Sequence, residues 1–284
     1  MNQTARLLIT CSDRPGIVAA VTNFLYSHGA NITALDQHST DAEGGRFYMR
    51  LEFTTPHLDV TRATLEQSFQ DVVAGRFDMS WRVSYAADLK GVAVLVSKHE
   101  HCLLELLWRH NRGELPCDIR LVISNHPDLR EQVERFGTRF VHLPVTPETR
   151  DRAEEALLEL LDGQIDLLVL ARYMQILSAR AVERYSDRII NIHHSFLPAF
   201  AGADPYRQAY ERGVKIVGAT AHYVTEELDA GPIIGQDIAR VSHRQSVEDL
   251  KEIGRDLERQ VLARAVRAHL EDRIIITGNK TVVF

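Results

Sequence analysis

The chain has 284 residues, 45% hydrophobic and 25% charged, the composition of a two-domain globular protein rather than a fibrous or disordered one. Its 33 basic and 39 acidic residues leave a formal charge of -6, which excludes general nucleic-acid and anionic-membrane binding, so an anionic ligand must be held locally. Cys11, Cys102 and Cys117 are odd in number and lack paired spacing, which excludes a disulfide framework or zinc knuckle and reads as a reducing cytoplasm.

The amino terminus lacks the basic and apolar regions of a signal peptide, and no later apolar run approaches the ~18 residues of a membrane span. From Ala5 to Tyr85 the apolar period predicts strand ARLLIT, helix GIVAAVTNFLYSHG, strands NITALDQHS and RFYMRLEFT, a helix from Leu58 to Phe77 and strand MSWRVSY. That order, βαββαβ, matches a ferredoxin-like unit with two helices on one face of an antiparallel sheet. Residues 86–90, AADLK, read as a linker between a domain over 1–85 and a second over 91–284. In the second, GVAVLVS, IRLVIS, DLLVLA and RIINIH alternate with helical segments, which predicts a doubly wound, mostly parallel sheet.

Ligands of such sheets collect beyond the carboxyl ends of the strands, where IINIHHSFLPAF lies. Strand alternation puts Asn191 and His193 on one face and His194 on the other. Two readings stand at this point: Asn191 closes a turn and His193 is a core histidine, or the pair faces a substrate. Metal binding is not expected, because the adjacent histidines diverge and no HxH or HExxH spacing supplies further ligands. A second cluster, GATAHYVTEELDAGPIIGQ, carries His222 on a strand and Asp229 in a structured turn. Asn, His and Asp together supply an oxyanion donor, a proton-sharing cation and a base, the set that attack on a carbonyl carbon requires. No GxSxG motif is present, so the attacking group is water or a substrate amine.

NIHHSFLPAF followed by VGATAHYVTEELDAGPII resembles the folate-dependent formyltransferase family, and ARYMQIL, residues 171–177, resembles the segment that lines its pterin pocket. SDRPGIVAAV with Asn31-Ile32 resembles an ACT regulatory domain, and the two joined are similar to the deformylase branch of the family. The resemblance implies hydrolysis of 10-formyltetrahydrofolate to tetrahydrofolate and formate, adjusting the one-carbon pool for purine biosynthesis, with the folate as substrate and no cofactor or metal. It implies catalysis by Asn191, His193 and Asp229, with Asn191 and protonated His193 stabilising the oxyanion and Asp229 taking the water's proton. Met174, Gln175, Leu177, Ser195 and His222 are the implied substrate-binding residues. Asp13, Gly16 and Asn31 are the implied regulatory set, answering to glycine or methionine in a homo-oligomer. Two departures stand out: VSKHEHCLLEL occupies the place of the glycine-rich phosphate loop of the transformylases, and Ala201 stands where a lysine is expected. Transfer to an amine and a folate- or amino-acid-binding regulator without catalysis remain the alternative readings.

Overall fold

The structure, a computed structural model, describes residues 3–41, 44–198 and 205–284; the Ala201 departure lies outside them. Contacts divide the chain into two units: residues 1–89 with 272–275 and 282–284, and residues 90–271 with 276–281. The division therefore falls at Leu89/Lys90, inside the stretch read as a linker, and the first unit also recruits residues from near the carboxyl terminus.

The first unit contains β1 (Thr4–Ser12), α1 (Ile17–Ser27), β2 (Asn31–Ser39), β3 (Arg46–Thr54), α2 (Arg62–Phe69), α3 (Gly75–Phe77) and β4 (Ser80–Tyr85), with the sheet order β2-β3-β1-β4. Every pairing in it is antiparallel. In α1 the buried residues Ile17, Val21, Phe24 and Leu25 repeat at helical spacing and form one stripe against the sheet. The second stripe, Leu65, Phe69, Val73 and Phe77, repeats every fourth residue and would drift round a regular α-helix. A π-helical turn over Gln70–Ala74 joins α2 to α3, and its wider winding keeps all four residues on the core.

Asp272, only 1% exposed, is embedded in this unit. Ser84 Oγ donates to its Oδ2 at 2.6 Å, Arg82 Nη1 lies 3.4 Å from its Oδ1, and Arg50 Nε donates to its carbonyl at 2.9 Å. The buried Arg50 is thus matched by Asp272 and by Glu52 Oε1, 2.5 Å from its Nη2.

The second unit runs β5 (Lys90–Val96), α4 (His101–Asn111), β6 (Cys117–Ser124), α5 (Arg130–Arg135), β7 (Arg139–His142), α6 (Arg150–Leu161), β8 (Leu167–Leu170), α7 (Ala179–Arg184), β9 (Ile189–His193), α8 (Pro205–Glu211), β10 (Ile216–Tyr223), β11 (Ile233–Arg240) and α9 (Val247–Leu270). A hairpin, β12 (Ile274–Thr277) and β13 (Lys280–Val283), follows. The sheet order is β11-β10-β9-β8-β5-β6-β7, parallel from β9 to β7, with β10 and β11 as an antiparallel extension. Nearly every residue of β5, β6 and β8 is buried, as expected of strands covered on both faces. Cys11, Cys102 and Cys117 are buried and unpaired. Among the described residues, no helix is long and apolar enough to cross a membrane.

Candidate active site

The chain leaves β5 for β6 and β7 on one side and returns to place β8 and β9 on the other. Such a reversal opens a crevice at the carboxyl ends of the strands. Here the crevice is a cavity of about 410 Å³, within the range of small-molecule sites, and its wall includes Arg172, Met174, Gln175, Leu177, Asn191, His193, His222 and Asp229. Its rim is apolar and open: Met174, Ile176 and Leu228 are each more than half exposed.

Asn191 on β9 lies directly opposite His222 on the antiparallel β10, and a register shift between Ala221 and His222 marks a local irregularity in β10's pairing with β11. Directly opposed residues share a face, so the amide and the imidazole meet: Asn191 Nδ2 lies 3.2 Å from His222 Nε2. His222 Nδ1 is 2.9 Å from the Tyr223 carbonyl, which can only accept, so Nδ1 carries a proton and Nε2 can receive the amide N–H.

Asp229 closes the constellation from the loop between β10 and β11. Its backbone is left-handed at φ 56°, and two residues on a Cβ at Gly231 would stand 1.9 Å from the Tyr223 carbonyl oxygen, which demands glycine. Tyr223 N donates to Pro232 O at 2.9 Å and ties the loop back to β10. One Asp229 oxygen lies 3.1 Å from His193 Nδ1 and the other 3.6 Å from His222 Nε2. Hydrogen bonding from His193, with the His222 imidazole beside the other oxygen, holds the Asp229 carboxyl well below the usual carboxylate range, against the opposing effect of burial. With Nδ1 turned to Asp229, His193 Nε2 is buried and without a hydrogen-bond partner. Such an orphan on a cavity wall calls for a functional account.

Four of the five implied substrate-binding residues, Met174, Gln175, Leu177 and His222, line this cavity. Ser195 does not: it is 4% exposed, and its carbonyl accepts the Thr220 hydroxyl at 2.9 Å, a bond that shapes the loop after β9. His194 departs from the expected alternation, because β9 ends at His193 and the chain bends there; both histidines line the cavity, with ring centroids 5.2 Å apart. Burial pushes the His194 imidazole down to about 4. The regulatory set is not assembled within one chain. Asp13 and Gly16 follow β1, whose end pairs with Arg46, whereas Asn31 pairs with Thr54 at the opposite end of β3, about 25 Å away along the strand.

The sequence reading missed Glu258 and Tyr206, which with His101 of the VSKHEHCLLEL segment form a buried cluster behind Arg172. Glu258 lies 2.8 Å from His101 Nε2, 2.8 Å from the Tyr206 hydroxyl and 3.5 Å from Arg172 Nε. One signal was available: Gly254, inside the 24-residue α9, is a poor helix residue, and a Cβ there would lie 1.9 Å from the Tyr206 hydroxyl. His101, Cys102 and Glu258 have ligand-type atoms within 4.8 Å of one another, but the His101–Glu258 bond and the Arg172 cation already serve this carboxylate.

Residues 90–266 match the formyl transferase family and residues 5–69 the ACT domain. The formyltetrahydrofolate deformylase of Mycobacterium tuberculosis (strain ATCC 25618 / H37Rv) is 54% identical over 98% of this chain and 90% of its own length. The crystal structure of a formyltetrahydrofolate deformylase from Pseudomonas syringae pv. tomato superposes with a TM-score of 0.95 at 51% identity, covering 99% of this chain and 94% of that one. Glycinamide ribonucleotide transformylase 1 from Symbiobacterium toebii, at 34% identity and a TM-score of 0.65, covers 69% of this chain and 94% of its own. With its ACT and formyl transferase units joined in one chain and its similarity running almost end to end, the chain belongs to the formyltetrahydrofolate deformylase family.

Proposed function

We propose that the chain hydrolyses 10-formyltetrahydrofolate to tetrahydrofolate and formate in the cytoplasm, with consequences for the one-carbon pool that feeds purine biosynthesis. The observation that carries this reading is the convergence of Asn191, His193, His222 and Asp229 on one cavity wall in a chain of the deformylase family. The apolar rim at Met174, Ile176 and Leu228 suits the flat pterin, and the polar wall suits the formyl group.

In this reading the division of labour differs from the one the family resemblance implies. Asp229 faces an imidazole on each oxygen and is held strongly acidic, which makes it a weak base. The water's proton passes to His193 Nε2, while Asp229 fixes the ring through Nδ1 and balances the imidazolium charge. Asn191 offers its amide N–H groups, one toward His222 and the other to the formyl oxygen as it becomes an oxyanion. The water oxygen bonds to the formyl carbon, the bond from that carbon to the folate nitrogen breaks, and His193 returns the proton to that nitrogen. Formic acid loses its remaining proton to solvent.

Incubation with 10-formyltetrahydrofolate and no amine tests the reading. Formate and tetrahydrofolate should appear in equal amounts, and EDTA should leave the rate unchanged. Turnover only with an amine, or loss in EDTA restored by zinc, would defeat it. The ACT unit is read as a control element: an amino acid, glycine or methionine first, bound at the Asp13–Gly16 turn of one chain against Asn31 of a neighbouring chain in a homo-oligomer. Sedimentation with both amino acids, for wild type and Asn31→Ala, tests this part. A monomer indifferent to both would leave the unit without this role.

A further inference from the structure

We propose that Arg172, anchored on Glu258, is the specificity-determining residue that closes the nucleophile side of the cavity, so that water rather than an amine attacks the formyl carbon. The inference rests on the hydrolytic reading above.

Arg172 has φ 63°, a left-handed conformation that glycine adopts freely and a long side chain adopts at a cost. The main chain is pinned there by the residue that follows β5: Ser97 N donates to Arg172 O at 3.2 Å, and Ser97 Oγ accepts Met174 N at 2.9 Å. A long side chain at such a position calls for a role of its own. The Arg172 side chain is turned inward, 11% exposed, with Nε 3.5 Å from Glu258 Oε2 and lacking a hydrogen-bond partner. Glu258 is in turn fixed by His101 and Tyr206, donors carried on α4 and α8. These side chains make a polar plug in the second unit, and Arg172 is the member of it that reaches the cavity wall.

The plug reaches toward the reacting imidazole through His194. The His194 ring lies between them in sequence of contacts, with its centroid 6.1 Å from that of Tyr206 and 5.2 Å from that of His193. Water needs only the space of one oxygen next to His193, whereas an amine must also place the rest of its molecule behind the attacking nitrogen. Arg172, on the cavity wall with Glu258, His101 and Tyr206 behind it, would fill that space. The fold alone does not choose the acceptor, since a glycinamide ribonucleotide transformylase shares it over 69% of this chain. A metal ion at His101, Cys102 and Glu258 is a poorer account of the cluster, because it would face the Arg172 guanidinium and displace the His101–Glu258 bond.

Opening the plug should therefore admit an amine. In that transfer the amine nitrogen bonds to the formyl carbon, the bond to the folate nitrogen breaks, and the amine's surplus proton goes to that nitrogen. Wild type, Arg172→Gly and Arg172→Lys are each given 10-formyltetrahydrofolate with increasing glycinamide, and tetrahydrofolate, formate and N-formylglycinamide are measured. Wild type and Arg172→Lys should yield formate equal to tetrahydrofolate at every amine concentration. Arg172→Gly, relieved of its backbone strain, should bring the ratio of formylglycinamide to formate to about ten-fold or more above the detection limit that bounds it in wild type. An Arg172→Gly protein, or Arg172→Ala if the glycine variant does not fold, that still partitions like wild type overturns the inference. Saturable transfer by wild type does so without any variant. Failure of wild type to release formate without amine would instead defeat the hydrolytic reading itself.

Discussion

Asn191 and His222 face each other across the antiparallel pair β9 and β10, and Asn191 Nδ2 lies 3.2 Å from His222 Nε2. The amide proposed to meet the formyl oxygen is therefore aimed by an imidazole whose own ring is fixed by the Tyr223 carbonyl. Replacing Asn191 by Ala deletes an oxyanion donor and should lower kcat by roughly 10²- to 10³-fold with little change in KM. His222→Ala leaves that donor present but unaimed, and a loss of about 10²-fold in kcat is expected. Steady-state kinetics of both variants check the pair, and a His222→Ala enzyme with wild-type kcat would remove His222 from the positioning role.

Asp229→Asn preserves shape but cannot balance an imidazolium at His193. We expect kcat to fall by roughly 10²- to 10⁴-fold while folate binding persists. Isothermal titration with the reaction product, tetrahydrofolate, separates the two effects. An unchanged kcat would take the carboxylate out of the mechanism.

The same carboxylate links stability to pH. Its folded pKa is depressed, so the stability it contributes is fully present above the unfolded value of about 4 and is lost as pH falls through the folded one. Urea unfolding of wild type and Asp229→Asn should differ by a constant amount from pH 7 down to about 5, and the gap should narrow below about pH 4. A gap that widens on acidification would contradict the assignment. His194, pushed down to about 4 by burial, should remain neutral throughout the neutral range, which its imidazole resonances in an NMR titration would report.

Asp272 provides a test away from the chemistry. Its carboxylate is buried among Ser84, Arg82 and Arg6, and removing one partner of a buried ion cluster costs roughly 3–5 kcal/mol. Asp272→Ala should lower the unfolding free energy of the amino-terminal unit by that order. Hydrogen exchange at β1 and β3 would show where the loss falls, and protection equal to wild type would mean that the cluster contributes nothing.

The parts of this molecule that were legible in its sequence are those with local signals. The alternation and helical stripes of the βαββαβ unit, the apolar runs of β5, β6, β8 and β9, and the NIHHS and LDAGP motifs each identify themselves within a dozen residues. What the sequence hid is non-local. Asn191 and His222 stand 31 residues apart and meet only through strand register, while His101 and Glu258 are separated by 157. The expected opposite facing of His194 failed because alternation ends where β9 ends, one residue before it. Asp13 and Asn31 are close in sequence, yet the topology sends them to opposite ends of β3.

The placement of Asp272 in the amino-terminal unit also sets an order of events during synthesis. Arg50 meets the carbonyl of a residue 222 positions later. At the usual pace of translation, that partner emerges roughly 10–45 s after the arginine. During that interval β1, β3 and β4 have all been made, yet the unit they build still lacks Asp272. The ribosome thus releases the first unit in finished form only when the second has been almost wholly made, although the first begins the chain.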